Sequence, residues 1–273
     1  MTIELEQTVP KTERVQLEGL YLGHNLRERA SKLGRPIVIA NYITDKNDVI
    51  ARKSTPGAAA ELKNPDDWRL FQELTAQADA IITGPNYLNQ FNERGQNVLT
   101  QFESGGEFET LGAWRLSHGY SSRNPDIVVA SRSLDFEIPK NLGERKIIIF
   151  TTYDGQHSQK AGELREAGAT VIGAGKAGVE GKIMLQELGK LGYKVIKNTT
   201  GPSVLKILLD GNVLDRLYIT RVHREIKSND PDDLLTVLTK GKVEDLPGFK
   251  LIEKYHQEAP ISQDFLVYEK VTK

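Results

Sequence analysis

Thr199-Thr200-Gly201-Pro202-Ser203 stands between an apolar run at 193–196 and a segment whose apolar residues Val204, Leu205, Leu208 and Leu209 have helical spacing. A strand, a glycine turn and a helix start form a site for an anion. The first N–H groups of the helix lack intrahelical acceptors, and the positive end of its dipole points the same way. Pro202 suits the first helical position, where its missing N–H is no loss, and Gly201 lets a ligand approach the main chain. A second strand-to-Gly-Pro turn runs through Ala80-Ile81-Ile82-Thr83-Gly84-Pro85. Two such turns in one chain point to a nucleotide-sized ligand.

Parallel sheets bind ligands beyond the carboxyl ends of their strands. Four strand ends share small residues and hydroxyls suited to a pyrophosphate and a ribose: Thr83-Gly84-Pro85-Asn86, Ser131-Arg132-Ser133, Gly173-Ala174-Gly175-Lys176 and residues 199–203. Arg132 and Lys176 are the candidates for a 2′-phosphate, Arg having the better fork geometry. Glycine also collects at strand ends for turn reasons alone. The run Gly173-Ala174-Gly175-Lys176-Ala177-Gly178 matches G-x-G-x-x-G, but it falls late in the chain. It is compatible with phosphate contact and is poor evidence for a classical dinucleotide fold.

Other constellations are weaker. The chain has no cysteine, which excludes disulfides, thiolate metal sites and a thiol nucleophile. The five histidines (His24, His118, His157, His223, His256) show no metal-ligand spacing, so no metal is expected. Ser117-His118 reads as solvated. The acid pairs Asp66-Asp67 and Asp232-Asp233 each follow a proline at a helix start, where the dipole accounts for them. Asp45 and Asp48 follow the first long strand and are candidates to position a substrate or relay a proton; equally, Thr44-Asp45-Lys46-Asn47-Asp48 can build a turn. Tyr42 and Lys46 have the spacing of a short-chain reductase pair but lie in a loop rather than on a helix.

The positioning elements alternate. Strands are expected at 37–41, 79–83, 126–131, 146–151, 169–172, 193–196 and 214–222. Helices are expected from Asn64-Pro65 to about Gln77, from a cap at Asp154 to Ala167, at 179–191 and at 202–210. Residues 249–255 and 263–271 read as a closing antiparallel pair. Strand–helix alternation implies a parallel sheet with right-handed crossovers, which the final pair makes mixed. Residues 1–34 read as an extension, partly an amphipathic helix around Leu17, Leu20, Tyr21 and Leu26, and residues 92–119 as a structureless loop. No linker or repeat divides residues 35–273. With 36 basic and 37 acidic residues the formal charge is −1, so bulk nucleic-acid binding is not indicated. The start lacks an apolar signal core, and no stretch approaches a membrane span. The chain reads as a soluble, cytoplasmic protein.

In series, Arg35-Pro36, Val49-Ile50-Ala51, Ala78-Asp79-Ala80-Ile81-Ile82-Thr83-Gly84, Val128-Val129-Ala130-Ser131-Arg132-Ser133-Leu134-Asp135, Gly201-Pro202 and Leu214-Asp215-Arg216-Leu217-Tyr218 resemble the riboflavin-pathway pyrimidine reductases, the RibD C-terminal family. The resemblance spans about residues 35–270 and includes no deaminase module. It implies a dihydrofolate-reductase-like fold, NADPH as hydride donor, a pyrimidine- or pterin-like substrate with a C=N or C=O acceptor, and a homodimer. It places Gly84 beside the cofactor, Ser131, Arg132 and Ser133 near its adenosine end, and Gly201-Pro202 at the pyrophosphate-binding helix. Thr83, Asn86, Gly173, Gly175, Lys176, Thr200 and Ser203 are cofactor-binding candidates from the strand-end reading of the residues. Where the family has Glu-Gly-Gly-Pro this chain has Thr199-Thr200-Gly201-Pro202, and its Ser-x-Asp-Gly becomes Asp45-Lys46-Asn47-Asp48. These changes are on the substrate side, which implies a paralogue with another small substrate and leaves Asp45, Asp48 and Thr199 as its catalytic candidates. The alternative is a nucleotide-binding paralogue that has lost the chemistry.

Overall fold

A computed structural model describes residues 3–55, 59–85, 87–89, 102–139, 142–143 and 145–271. The chain opens with β1 (Glu4–Val9), β2 (Glu13–Gln16), α1 (Leu26–Leu33), β3 (Ile37–Thr44), β4 (Val49–Arg52), α2 (Pro65–Gln77) and β5 (Ala80–Thr83). It continues through α3 (Glu109–Ser117), β6 (Asp126–Ala130), β7 (Ile147–Thr151), α4 (Gln159–Glu166), β8 (Thr170–Gly173) and α5 (Gly181–Lys190). It ends with β9 (Val195–Asn198), α6 (Pro202–Asp210), β10 (Arg216–Val222), β11 (Leu234–Thr236), β12 (Phe249–Gln257) and β13 (Gln263–Lys270). Two compact units form, one of Met1–His24, Ile39–Glu73 and Leu214–Lys273, the other of Asn25–Val38 and Leu74–Val213. Among the described residues no helix is long and apolar enough to cross a membrane.

The first unit carries the strand order β2-β1-β12-β13-β10-β3, antiparallel except for the parallel pair β10–β3. A separate ribbon joins β4 to β11. In the six-stranded sheet Leu5, Leu217, Ile219, Phe265 and Val267 are buried. The N-terminal segment differs from its expected reading: Glu4–Gln16 is a strand pair, with β1 laid against β12. The inward positions of β1 are Leu5 and Gln7, so its period of two is half polar and gives no apolar signal. The turn that follows is held by Glu73, whose buried carboxylate accepts the N–H groups of Gly19 (2.6 Å) and Tyr21 (3.0 Å) and pairs with Arg69 (2.9 Å).

The second unit is a parallel sheet in the order β9-β5-β6-β7-β8. Its strands are short and buried throughout in β5, β7 and β9; β5 and β7 are almost wholly apolar, as expected when helices cover both faces, whereas β9 ends in the buried polar pair Lys197 and Asn198. Asp79 ties the strand starts together. One of its oxygens meets Arg27 Nη2 at 2.5 Å, and the other accepts Lys194 N and Val195 N at 2.9 and 2.8 Å. Arg115 is buried and donates to the main-chain carbonyls of Ala76 (2.8 Å) and Ala78 (2.5 Å) at the end of α2; burial pushes its guanidinium down to about 10.

Two helices depart from expectation. Asp154 precedes only a single tight turn, Gly155–His157, and α4 begins after Ser158, whose hydroxyl accepts Ala161 N at 3.2 Å. Within 92–119 the part up to residue 101 lies outside the described residues, but Glu109–Ser117 is a helix. Gly112 obscures it in the sequence. A Cβ there would stand 2.4 Å from Phe102 O, so the glycine serves close packing rather than a break in the helix.

Candidate functional site

Because the five strands of the second unit are parallel, their carboxyl ends share one edge, with neighbours about 4.8 Å apart. At one end of this row, Thr199 donates both its N–H and its hydroxyl to Ile82 O, at 3.0 and 2.9 Å. Thr200 N donates to Asn198 Oδ1, and Asn198 Nδ2 donates back to Thr200 O, both at 3.2 Å. The loop after β9 is thereby fixed against the end of β5. A Cβ on Gly84 would lie 3.1 Å from Thr200 Oγ1, so a side chain there would press on that loop. Thr83 is buried at the end of β5, and Asn86 lies outside the described residues.

The start of α6, like those of α1, α3 and α5, has no side-chain cap, whereas α2 and α4 are capped. Asn64 Oδ1 accepts Asp67 N at 2.9 Å and Ser158 caps α4, whereas Gly201 begins α6 with no side-chain cap. Pro202 occupies the first position, and the first N–H groups belong to Ser203 and Val204. Gly201 has ordinary extended backbone (φ −66, ψ −171), and a Cβ on it would meet nothing within 4 Å. Neither fold geometry nor packing requires glycine at this position. What remains is open space before an uncapped helix, an arrangement suited to a phosphate.

Past β6, Ser131 is buried and its hydroxyl accepts Leu134 N at 3.1 Å. That bond steadies Leu134 at φ +56, a left-handed backbone that costs a leucine about 1–2 kcal/mol. The loop so anchored leaves Arg132 and Ser133 exposed. Past β8 the glycines have a different purpose. Gly175, at φ +147, would place a Cβ 2.2 Å from Gly178 O, and one on Gly173 would meet the Gln156 amide at 2.7 Å. Both positions are explained by the closure of their own loop, leaving Lys176 exposed at its tip. Counted along the sheet, Arg132 lies two strands from the start of α6, about 10 Å, and Lys176 four strands, about 19 Å.

Asp45 and Asp48, in the first unit, build the loop that contains them. Asp45 accepts Asn47 N (2.7 Å) and Val49 N (2.9 Å) on one oxygen and Ile226 N (3.0 Å) on the other. Asp48, at φ +64, pairs with Arg221 at 2.8 Å and accepts Val243 N at 2.9 Å. The geometry is that of the turn reading, with main-chain donors on both carboxylates. A residue the sequence reading passed over is Thr151, at the end of β7, whose buried hydroxyl has no hydrogen-bond partner. Its signal was a hydroxyl closing an apolar run, without a glycine to mark it.

A family description, the RibD C-terminal domain, matches residues 44–222. Among solved structures, a pyrimidine reductase-like protein from Corynebacterium diphtheriae superposes with a TM-score of 0.65 at 21% identity, covering 91% of this chain and 99% of that one. RibD of Acinetobacter baumannii gives 0.61 at 14% identity, over 89% of this chain and 60% of that longer chain. The riboflavin biosynthesis reductase Rib7 of Saccharomyces cerevisiae gives 0.57 at 12%, over 92% and 99%. These are likenesses of fold. Comparison with curated proteins by sequence gives no match. The fold class is the expected one, a mixed, mainly parallel sheet flanked by helices and closed by the antiparallel hairpin β12–β13.

Proposed function

The chain belongs to the RibD C-terminal domain family, the reductases of the riboflavin pathway, and from that premise we propose that it is an NADPH-dependent reductase of a small pyrimidine- or pterin-like substrate. The observation that carries the reading is the bare start of α6, where Gly201 opens onto space and no side chain caps the helix. The residues present fit the cofactor. Ser203 and Val204 offer main-chain donors to a pyrophosphate, and Gly84 permits close approach beside them. The 2′-phosphate of NADPH sits on the ribose next to the pyrophosphate, which favours Arg132 over the more distant Lys176 as its partner. The unpartnered Thr151 hydroxyl is a further polar group on this edge. When bound, the nicotinamide supplies a hydride to a C=N or C=O carbon.

The substrate side rests on Thr199. Its hydroxyl hydrogen is committed to Ile82 O, so toward a substrate it offers only lone pairs, a neutral acceptor in place of the carboxylate implied by the resemblance. That change favours a substrate other than the riboflavin intermediate. Asp45 and Asp48 are assigned to loop structure in this reading, and neither to proton transfer. Homodimer assembly belongs to the same proposal and is checked by sedimentation.

The test is a titration of the purified chain with NADPH and, separately, NADH, followed by a turnover screen over pyrimidines and pterins. Micromolar NADPH binding with much weaker NADH binding supports the reading. Binding of neither removes it. Turnover of the phosphoribosylamino-uracil intermediate at an ordinary enzymatic rate removes the substrate argument alone.

A further inference from the structure

The first unit brings together two imidazoles and a carboxylate that no short motif announces. His256 on β12 stands opposite Asp264 on β13, and Asp264 stands opposite Arg221 on β10. Side chains two positions apart on a strand share a face. His223, two residues past Arg221 and joined to the hairpin by its N–H to Ser262 O at 3.0 Å, therefore falls on the face of His256 and Asp264. Lys254, two residues before His256, falls there too. His256 Nδ1 lies 2.8 Å from Asp264 Oδ1 and His223 Nε2 lies 3.3 Å from Asp264 Oδ2. The rings stack with centroids 5.7 Å apart. One atom from each of the three residues can be chosen so that all lie within 4.8 Å of one another.

The far nitrogens are partnered as well. His256 Nε2 is 3.1 Å from Glu258 Oε2, and His223 Nδ1 is 2.8 Å from Ser262 Oγ. Outer partners of this kind fix the imidazole tautomer and ring orientation at metal centres and raise the basicity of the inner nitrogen. The carboxylate at the centre of the cluster already attracts a cation, since Lys254 Nζ reaches Asp264 Oδ2 at 3.1 Å. Lys254, His223 and His256 keep about a third of their side-chain surface exposed (36%, 36% and 29%), which leaves room for the ammonium to swing out and for the rings to close on an ion.

We propose that His223, His256 and Asp264 form a divalent transition-metal site, with the Lys254 ammonium as the counter-cation of its metal-free state. Two imidazoles and one carboxylate select zinc, cobalt or nickel over magnesium or calcium, which prefer all-oxygen shells. Water fills the remaining positions at this partly exposed surface. The bound ion would staple the end of β10 to the β12–β13 hairpin, with Glu258 and Ser262 as positioning residues for the two rings.

The experiment uses the full chain, freed of metal with a chelator and carrying no histidine tag, titrated with Co²⁺ under visible absorption and with Zn²⁺ by calorimetry. One Co²⁺ per chain is expected, with ligand-field bands that Zn²⁺ abolishes. His256→Ala and His223→Ala should each lose the saturable uptake, and Glu258→Gln should weaken it about tenfold or more. Lys254→Met should bind more tightly than the parent, an outcome that damage to the fold cannot imitate. No stoichiometric uptake, uptake indifferent to both histidine substitutions, or a Lys254→Met chain that binds no better than the parent overturns the proposal.

Discussion

Gly201→Asp separates a glycine kept for a ligand from one kept for the fold. The backbone at this position is extended, and a Cβ meets nothing within 4 Å, so aspartate enters without strain. As an N-cap its carboxylate accepts the main-chain N–H of Ser203 or Val204, a gain of a few tenths of a kcal/mol over glycine. Its charge at the positive end of α6 adds about 0.3–1 kcal/mol. The sum, about 0.5–1 kcal/mol, corresponds to a rise in Tm of about 1–2 °C for a chain of this size. The same carboxylate occupies donors that a pyrophosphate would use, and it repels that ligand. Hydrogen bonds to charged groups are worth about 1.5–3 kcal/mol each, so losing two weakens NADPH about 100-fold or more. Thermal unfolding and a fluorescence titration on the same preparation read both quantities. A variant that melts lower shows that the turn needs glycine for the fold. A variant that melts higher and still binds NADPH normally shows that the start of α6 is not the anion site.

Arg132→Ala is expected to weaken NADPH about 10- to 100-fold and leave NADH unchanged, from the loss of one charge-assisted fork. Lys176→Ala, about 19 Å along the edge and beyond the screening length at physiological salt, should change either affinity less than about threefold; the reverse ranking in the same titrations would discard the strand-distance argument. Gly175→Ala has the opposite character from Gly201→Asp, because φ +147 and a Cβ 2.2 Å from Gly178 O force the loop open. It should cost about 1–3 kcal/mol in urea unfolding, and an unchanged midpoint would contradict the structural assignment of that glycine. The last prediction concerns Glu253. Burial works to raise its carboxyl, but hydrogen bonds from His24 and Tyr255 and the charges of His24 and Arg216 outweigh it and hold the group at about 2 against an ordinary 4.5. A folded value below the unfolded one stabilises above pH 4.5, by about 3 kcal/mol, and that stabilisation is lost as pH falls from 4.5 to 2. Glu253→Gln should flatten this acid limb in a stability–pH series, and a limb parallel to that of the parent would refute the assignment.

The fold was legible where local chemistry decides it. Helix α6 begins at Pro202 and α2 at Pro65, as their sequences require, because a proline at the first position and a turn before it leave little alternative. Segments whose structure is set from a distance were hidden. β1 carries Gln7 at an inward position and owes its place to β12, and α3 carries Gly112 because Phe102 crosses it closely. The two-unit arrangement was invisible for a similar reason. Each unit is assembled from separated stretches of chain, so no linker of distinctive composition exists between them.

The candidate site divides along the same line. The anion site proposed at the start of α6 consists of consecutive residues, 199–203, which a string along the chain can display. His256 and Asp264 come from β12 and β13 and His223 from the residue just past β10, so no spacing rule along the chain can find them, and only the register of the three strands brings them together. The glycines are the instructive intermediate case. As strings, Thr200-Gly201-Pro202 and Gly173-Ala174-Gly175 invite the same phosphate reading, yet the second is consumed by its own turn while the first has no structural need of glycine at all. A glycine string therefore carries functional information only after the backbone angle and the room for a Cβ are known. Where both would admit a side chain, as at Gly201, the fold does not account for the glycine, and the proposed phosphate contact is the reading that Gly201→Asp tests.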